Sequence, residues 1–150
     1  MARDFFLLKT VLSEGLDQGE RSKTSALLQD YFKLNAEAPL LYTGILLLDA
    51  QKKVFDAYFP SGNIEPSRVI GQSYAGIEFE GYADSLHRVL TLYRVDNFNP
   101  MGHKEIEVAF QLKKDNRLLG WIVFQMDQTR LQTIYHMDGN GLKKFRFKEP

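Results

Sequence analysis

Between Leu118 and Met126 the chain reads LLGWIVFQM, and this run narrows the fold more than any other segment. If extended, it sets Leu119, Trp121, Val123 and Gln125 on one face and Leu118, Ile122, Phe124 and Met126 on the other, around Gly120. Two largely apolar faces describe a central strand covered on both sides, so the rest of the chain must supply a layer above the sheet and a layer below it. The run is far shorter than the ~20 residues that cross a bilayer. Its polar minority raises a second question, because a buried indole N–H or amide needs a partner. Trp121 and Gln125 either find one within the core or look toward a ligand.

The candidate layers lie upstream. Phe5, Leu8, Leu12 and Leu16 recur at spacings of three and four, which predicts an amphipathic helix from Asp4 to Leu16 interrupted at Gly15 and Gly19. Ser22 is the expected N-cap of a second helix whose apolar stripe is Ala26, Leu27, Leu28, Tyr31, Phe32 and Leu34, and Pro39 bars further helix. Strands then follow at about 41–48 and 53–59, joined by a turn on Asp49, Ala50 and Gln51. A long connection, 60–86, is punctuated by Pro60, Gly62 and Pro66 and reads as short helical turns. Three further strands are expected at 87–95, 104–112 and 118–126, with a tight turn at KKDN between the last two. The result is an α+β fold: a five-stranded antiparallel sheet with N-terminal helices on one face and a helical crossover on the other. One domain is expected over 1–150, with a helical lead at 1–36, a sheet core at 40–127 and a C-terminal helix and tail at 128–150.

Composition removes several classes of function. At 150 residues a single core is adequate without covalent staples. The 19 basic and 19 acidic side chains cancel, so no general attraction to nucleic acid or anionic membrane is expected. No cysteine is present, which excludes disulfides, thiolate metal sites and cysteine nucleophiles. The N-terminus lacks the basic-then-apolar order of a signal peptide, so the chain is expected to be soluble as given. Compartment stays open between the cytoplasm and an extracytoplasmic segment of a membrane receptor.

Chemistry-bearing residues are sparse. In 104–112, Ile106, Val108, Phe110 and Leu112 alternate with Glu105, Glu107, Ala109 and Gln111, one face core and the other polar. His103, Glu105 and Glu107 form either a possible oxygen and imidazole metal patch or exposed charges on an edge strand. Arg94 shares a face with Leu90 and Leu92 and either snorkels at a strand end or fixes an anion. Tyr58, Tyr74, Phe79 and Tyr82 lie in or beside the crossover, as a pocket wall or as plugs beneath it. No phosphate loop, nucleophile elbow, HExxH helix or EF-hand is present, and DGNG at 138–141 is a turn. No enzyme, cofactor or metal is expected.

The order of these motifs resembles the PAS-like sensor superfamily, and within it a single Cache-type sensor domain of bacterial signalling proteins. The resemblance rests on the helical lead, the hairpin GILLLDAQKKVFDAYF, the crossover phrase IGQSYAGIEF and the closing strands EIEVAFQL and LGWIVFQMD. It implies a small-molecule-sensing input domain of a chemoreceptor, histidine kinase or diguanylate cyclase. The ligand would sit between sheet and crossover against Tyr74, Phe79, Tyr82, Tyr93, Arg94 and Trp121. The N-terminal helix would carry the signal through a homodimer, and membrane attachment would come only through segments absent from this chain. The same element order fits profilin-like and roadblock-like scaffolds, so a ligand-free interaction module is the alternative.

Overall fold

The helical period of the first third gives way to strand alternation after Pro39, and the architecture divides at the same place. The computed structural model describes residues 2–34, 42–62, 64–74, 80–83, 89–95 and 105–127, with Thr129, Gln132, Thr133 and His136 besides. The expected C-terminal helix and tail therefore lie outside the described residues except at those four positions.

Two helices lead. In α1 (Ala2–Gln18) the expected face is buried: Leu8 and Leu12 are fully enclosed, and Phe5 stacks on Phe110 with ring centroids 4.7 Å apart. Gly15 does not interrupt this helix. A Cβ there would stand 2.4 Å from Thr24 Cγ2, so glycine lets the next helix pack close. The real stop is Gly19 at φ +68°, where Gly19 N–H donates to the Leu16 carbonyl (3.3 Å) and Glu20 N–H to that of Gly15 (2.8 Å), a Schellman closure. Ser22 is not the cap of α2 (Arg21–Leu34), which begins one residue earlier. Its buried stripe is Thr24, Leu28 and Phe32, at the i, i+4 spacing of one helix face, while Leu34 is 85% exposed.

Among the described residues the sheet has six strands rather than the five expected. They are β1 (Gly44–Asp49), β2 (Val54–Tyr58), β3 (Glu80–Ala83), β4 (Val89–Val95), β5 (Glu105–Lys114) and β6 (Arg117–Asp127), antiparallel throughout in the order β2-β1-β6-β5-β4-β3. The extra strand is β3, inside the stretch expected to be helical. Four residues are too few to display an alternation, and their sheet partner among the described residues, β4, is supplied by tertiary pairing. The described helical element of the crossover is a single 3-10 turn, Pro66–Arg68.

Both expected turns are present. Asp49 Oδ1 accepts from the Gln51 and Lys53 N–H groups, each at 2.9 Å, closing the β1–β2 hairpin, with Lys52 at φ 61°. Asp115 and Asn116, at φ 51° and 61°, form the two-residue link between β5 and β6.

The strand β6 is central, as its two apolar faces require. On the helix side, Ile45, Leu47, Phe110, Ile122 and Phe124 join Leu8, Leu12, Leu28 and Phe32 in one core. Each fully enclosed leucine there contributes about 1.5–3 kcal/mol of burial. On the other side Leu46, Leu48, Trp121 and Val123 cluster with Val69 and Tyr74 of the crossover. Among the described residues, no helix is long and apolar enough to cross a membrane.

Candidate functional site

The crossover is stitched to the sheet before it passes over it. Gly71 N–H donates to the Val54 carbonyl (2.7 Å), Val54 N–H to that of Gln72 (3.0 Å), and Tyr74 N–H to that of Lys52 (2.8 Å). Gly71, at φ +86°, makes the bend that this needs. The segment thereby occupies the outer edge of β2 and folds Val69 and Tyr74 against the apolar residues of β1 and β6.

Register defines what lies beneath. Gly44, Gln125, Glu107 and Tyr93 occupy one row across β1, β6, β5 and β4; Leu46, Val123, Ala109 and Thr91 the next; and Leu48, Trp121 and Gln111 a third. The alternation in β5 implies a polar face toward water. The structure instead buries it: Glu107 and Ala109 are both 0% exposed, because β5 lies between β6 and β4 rather than at an edge.

A buried carboxyl therefore stands on an apolar face. Gln125 Nε2 donates to Glu107 Oε1 at 2.9 Å, which answers what partner the Gln125 amide finds. A Cβ on Gly44 would fall 2.6 Å from Gln125 Oε1 and 2.8 Å from Phe59 Cδ1, so only glycine leaves room for that amide. Glu107 Oε2 and Gln111 Oε1 are buried and have no hydrogen-bond partner among the described residues. Burial pushes the Glu107 carboxyl up to about 8, and the hydrogen bond from Gln125 draws it back only in part. At neutral pH the group is largely protonated, a store of one proton within the core.

The residues expected around a ligand are distributed unevenly. Tyr74 is fully buried and Trp121 is 8% exposed, and the two share one apolar cluster. Lys52 Nζ lies 5.5 Å from the Trp121 ring centroid. Tyr93 is the register partner of Glu107. Arg94 pairs with Ile106 and Tyr82 with Leu90, positions in the alternate rows. Phe79 lies outside the described residues, as does His103 of the suggested metal patch. Among the described residues, no group of three or more His, Asp or Glu side chains is placed to hold a metal ion. Glu107 and Gln111 were not among the expected ligand contacts. The signal that pointed to them was Gln125, a polar residue on a strand already read as covered on both faces.

The back of the same strands carries the helices. Phe110, three residues from Glu107 on β5, stacks on Phe5 of α1. At the hairpin end, Asp17 of α1 accepts from Lys114 Nζ (3.0 Å) and Arg117 Nη2 (2.5 Å). These cations hold the Asp17 carboxyl below its ordinary value.

Comparison of this fold with solved structures finds sensor domains. The histidine kinase DctB sensor domain of Vibrio cholerae superposes with a TM-score of 0.61 at 16% identity, over 91% of this chain and 51% of that one. A domain of a protein assigned to the sensory box/GGDEF family in Vibrio parahaemolyticus gives 0.54 at 13% identity, over 85% and 52%. The extracellular domain of vpHK1S-Z8, assigned as a histidine kinase, gives 0.53 at 13%, over 85% and 50%. The chain shares the fold of these domains and spans about half the length of the structures it matches. No protein-family model and no curated protein sequence matches it.

Proposed function

We propose that this chain is a signal-input domain of a bacterial signal-transduction protein, such as a histidine kinase, a diguanylate cyclase or a chemoreceptor, and that it senses a small molecule between the sheet and the crossover. The observation that carries this reading is Glu107: a fully buried carboxyl with one oxygen left over, on the sheet face that the crossover covers. A core built for stability alone gains nothing from such a group, because an unpaired buried polar atom costs free energy that an apolar residue of similar size would save. A ligand supplies the missing partner. Binding then biases α1 through β5 and β6, whose other faces and hairpin touch that helix, provided the ligand prefers one of two arrangements.

Native mass spectrometry of the purified chain, under gentle and denaturing conditions, tests for a retained ligand directly. Once a ligand is in hand, Trp121→Ala is expected to weaken binding by at least tenfold. Unchanged affinity in a folded variant removes Trp121 from the site.

A second reading is favoured by one feature of α1. Leu7 and Val11, one turn apart, are 61% and 37% exposed, an apolar strip suited to a second copy of the chain. Homodimerisation through this helix is compatible with sensing and also with a ligand-free interaction module. Sedimentation of the native chain and of Leu7→Glu distinguishes them: a dimer lost in the variant supports the contact, and two identical monomers dispose of it.

A further inference from the structure

We infer that the N-terminal half of α1 is a releasable arm, latched to the domain where Asp4 accepts from the Tyr31 and Tyr42 hydroxyls and fixed to it from Leu12 onward. This goes beyond the sensing proposal and does not depend on it.

The two ends of α1 are held by different means. Its C-terminal end is built into the domain: Leu12 is fully enclosed, Gly15 packs against Thr24 where a Cβ would not fit, and the Gly19 closure turns the chain straight into α2. The start of α2 is in turn fixed to β2, by Thr24 and Ser25 on Asp56 and by Arg21 Nε, which donates to the Phe55 carbonyl (2.6 Å). That end cannot move without taking α2 and β2 along. The first turns are held less. Phe5 and Leu8 reach the core, but Leu7 and Val11 already stand in water, so lifting this stretch exposes only part of its apolar surface.

Asp4, in the first turn, joins this looser end to two other elements. Tyr31 reaches it from the last turn of α2, and Tyr42 from just before β1. Both phenols are positioned by rings outside α1: Tyr42 lies against Phe124 (centroids 5.0 Å apart) and Phe32 (6.5 Å), and Tyr31 lies edge-on to Phe32 (5.7 Å). Two fixed donors converging on one carboxylate form a catch, and Asp4 is the part that enters and leaves it. Such a contact opens at modest cost, because water can replace the carboxylate at both phenols and the phenols at the carboxylate. Leu12 has no such substitute for its apolar neighbours. Opening withdraws Phe5 from Phe110 and so uncovers the back of β5.

The experiment is native-state amide hydrogen exchange of the whole chain, read residue by residue by NMR at several low urea concentrations. An undocked stretch this short does not hold its helix, so its amides exchange whenever the arm opens. The first amides of a helix lack intrahelical partners in any case, so the arm is read at 6–11 and the fixed end at 16–18. In the native chain 6–11 should exchange as one group, at least tenfold faster than 16–18 and β6 and with a weaker urea dependence, the mark of a local opening. D4N should speed 6–11 at least tenfold further. Y31F, which leaves the charge at the helix start untouched, should speed the same residues at least threefold in the native background and leave them unchanged in D4N. If D4N fails to fold, the native profile and Y31F decide. Exchange of 6–11 together with 16–18 at one urea slope overturns the arm. Rates at 6–11 that Y31F leaves as they are in the native chain, or a residue-by-residue gradient from the N-terminus, reduce the observation to ordinary fraying and overturn the latch.

Discussion

Two acids lie buried on opposite faces of one sheet, and the protein treats them differently. Asp56, on the helix side, is 1% exposed and fully engaged: Oδ2 accepts from Thr24 Oγ1 (2.6 Å) and Ser25 Oγ (2.8 Å), and Oδ1 from the Ala57 N–H (2.8 Å). Asp4 on the same side accepts from the Tyr31 and Tyr42 hydroxyls. Glu107, on the crossover side, is equally enclosed and has one side-chain hydrogen bond among the described residues. The difference separates a polar group that fixes a packing arrangement from one whose second oxygen has no hydrogen-bond partner among the described residues. Where both oxygens are engaged, the acid pins α2 to β2. Where one oxygen is unused, the proposed sensing role makes the same chemistry a binding determinant, because the polar group is already withdrawn from water before a ligand arrives.

Removing Asp56 should break the stabilising half of this contrast, and it carries the largest expected effect. Asp56→Ala strips the acceptor from two hydroxyls and a backbone N–H at the α2–β2 contact, and a loss of about 3 kcal/mol is expected. Urea unfolding at neutral pH reads it directly. A loss below about 1 kcal/mol would mean that the two acids are not so different after all.

The opposite sign is expected at Glu107. Below the ordinary carboxyl value of 4.5 the folded and unfolded chains both hold the proton. Between there and about 8 the unfolded chain gives it up while the folded chain keeps it, so stability falls as pH rises and levels off above that value. The slope approaches about 1.4 kcal/mol per pH unit. Urea midpoints of the protein at pH 5.5, 6.5 and 7.5 should therefore decline, and Glu107→Gln, which keeps the shape without the titration, should flatten the series and exceed the native chain at pH 7.5. A native series as flat as the variant's would show that the carboxyl is solvated in solution.

The contrast was only half legible in the sequence. The strand β6 announced its central place through two apolar faces, and Asp49 and Asp115–Asn116 announced both hairpin turns, since these are local chemistry. The pairing of Glu107 with Gln125 was not. Counting outward from the Asp115–Asn116 turn, Lys114 meets Arg117 and Lys113 meets Leu118, a progression that would set Glu107 opposite Phe124. The irregularity between Leu112 and Lys113 skips Leu119, and from there Leu112 meets Gly120 and Glu107 meets Gln125. One extra residue thus changes which side chains face each other, and nothing in the local composition marks it. Alternation in β5 likewise showed that Glu107 lies opposite the core, but a polar face turned to water and one covered by a distant segment have the same pattern. Among the expected ligand residues, Trp121 and Tyr74 came together because both are large and apolar, whereas Arg94 and Tyr82 fell in the alternate register that no reading of a single strand can relate to another.

A third acid sharpens the comparison by lacking burial. Asp17 accepts from both Lys114 and Arg117 and so has more charged partners than Asp56 or Glu107, yet it is open to solvent at the end of α1. Its carboxyl is held below the ordinary value, so whatever stability it contributes is present above the unfolded value of 3.8 and is lost as pH falls through the lower folded value. Solvent and salt screen such a pair, and the effect of Asp17→Asn should be the smallest of the three, within the scatter of a surface substitution and smaller still in 0.5 M salt. Under the proposed sensing role its consequence for signalling is expected to exceed that for stability, because this contact ties the end of α1 to the hairpin that joins β5 and β6. Hydrogen exchange of α1 in Asp17→Asn, with and without bound ligand, separates the two: faster exchange at 11–18 with an unchanged unfolding midpoint identifies a coupling contact, and unchanged exchange identifies a bystander on the surface.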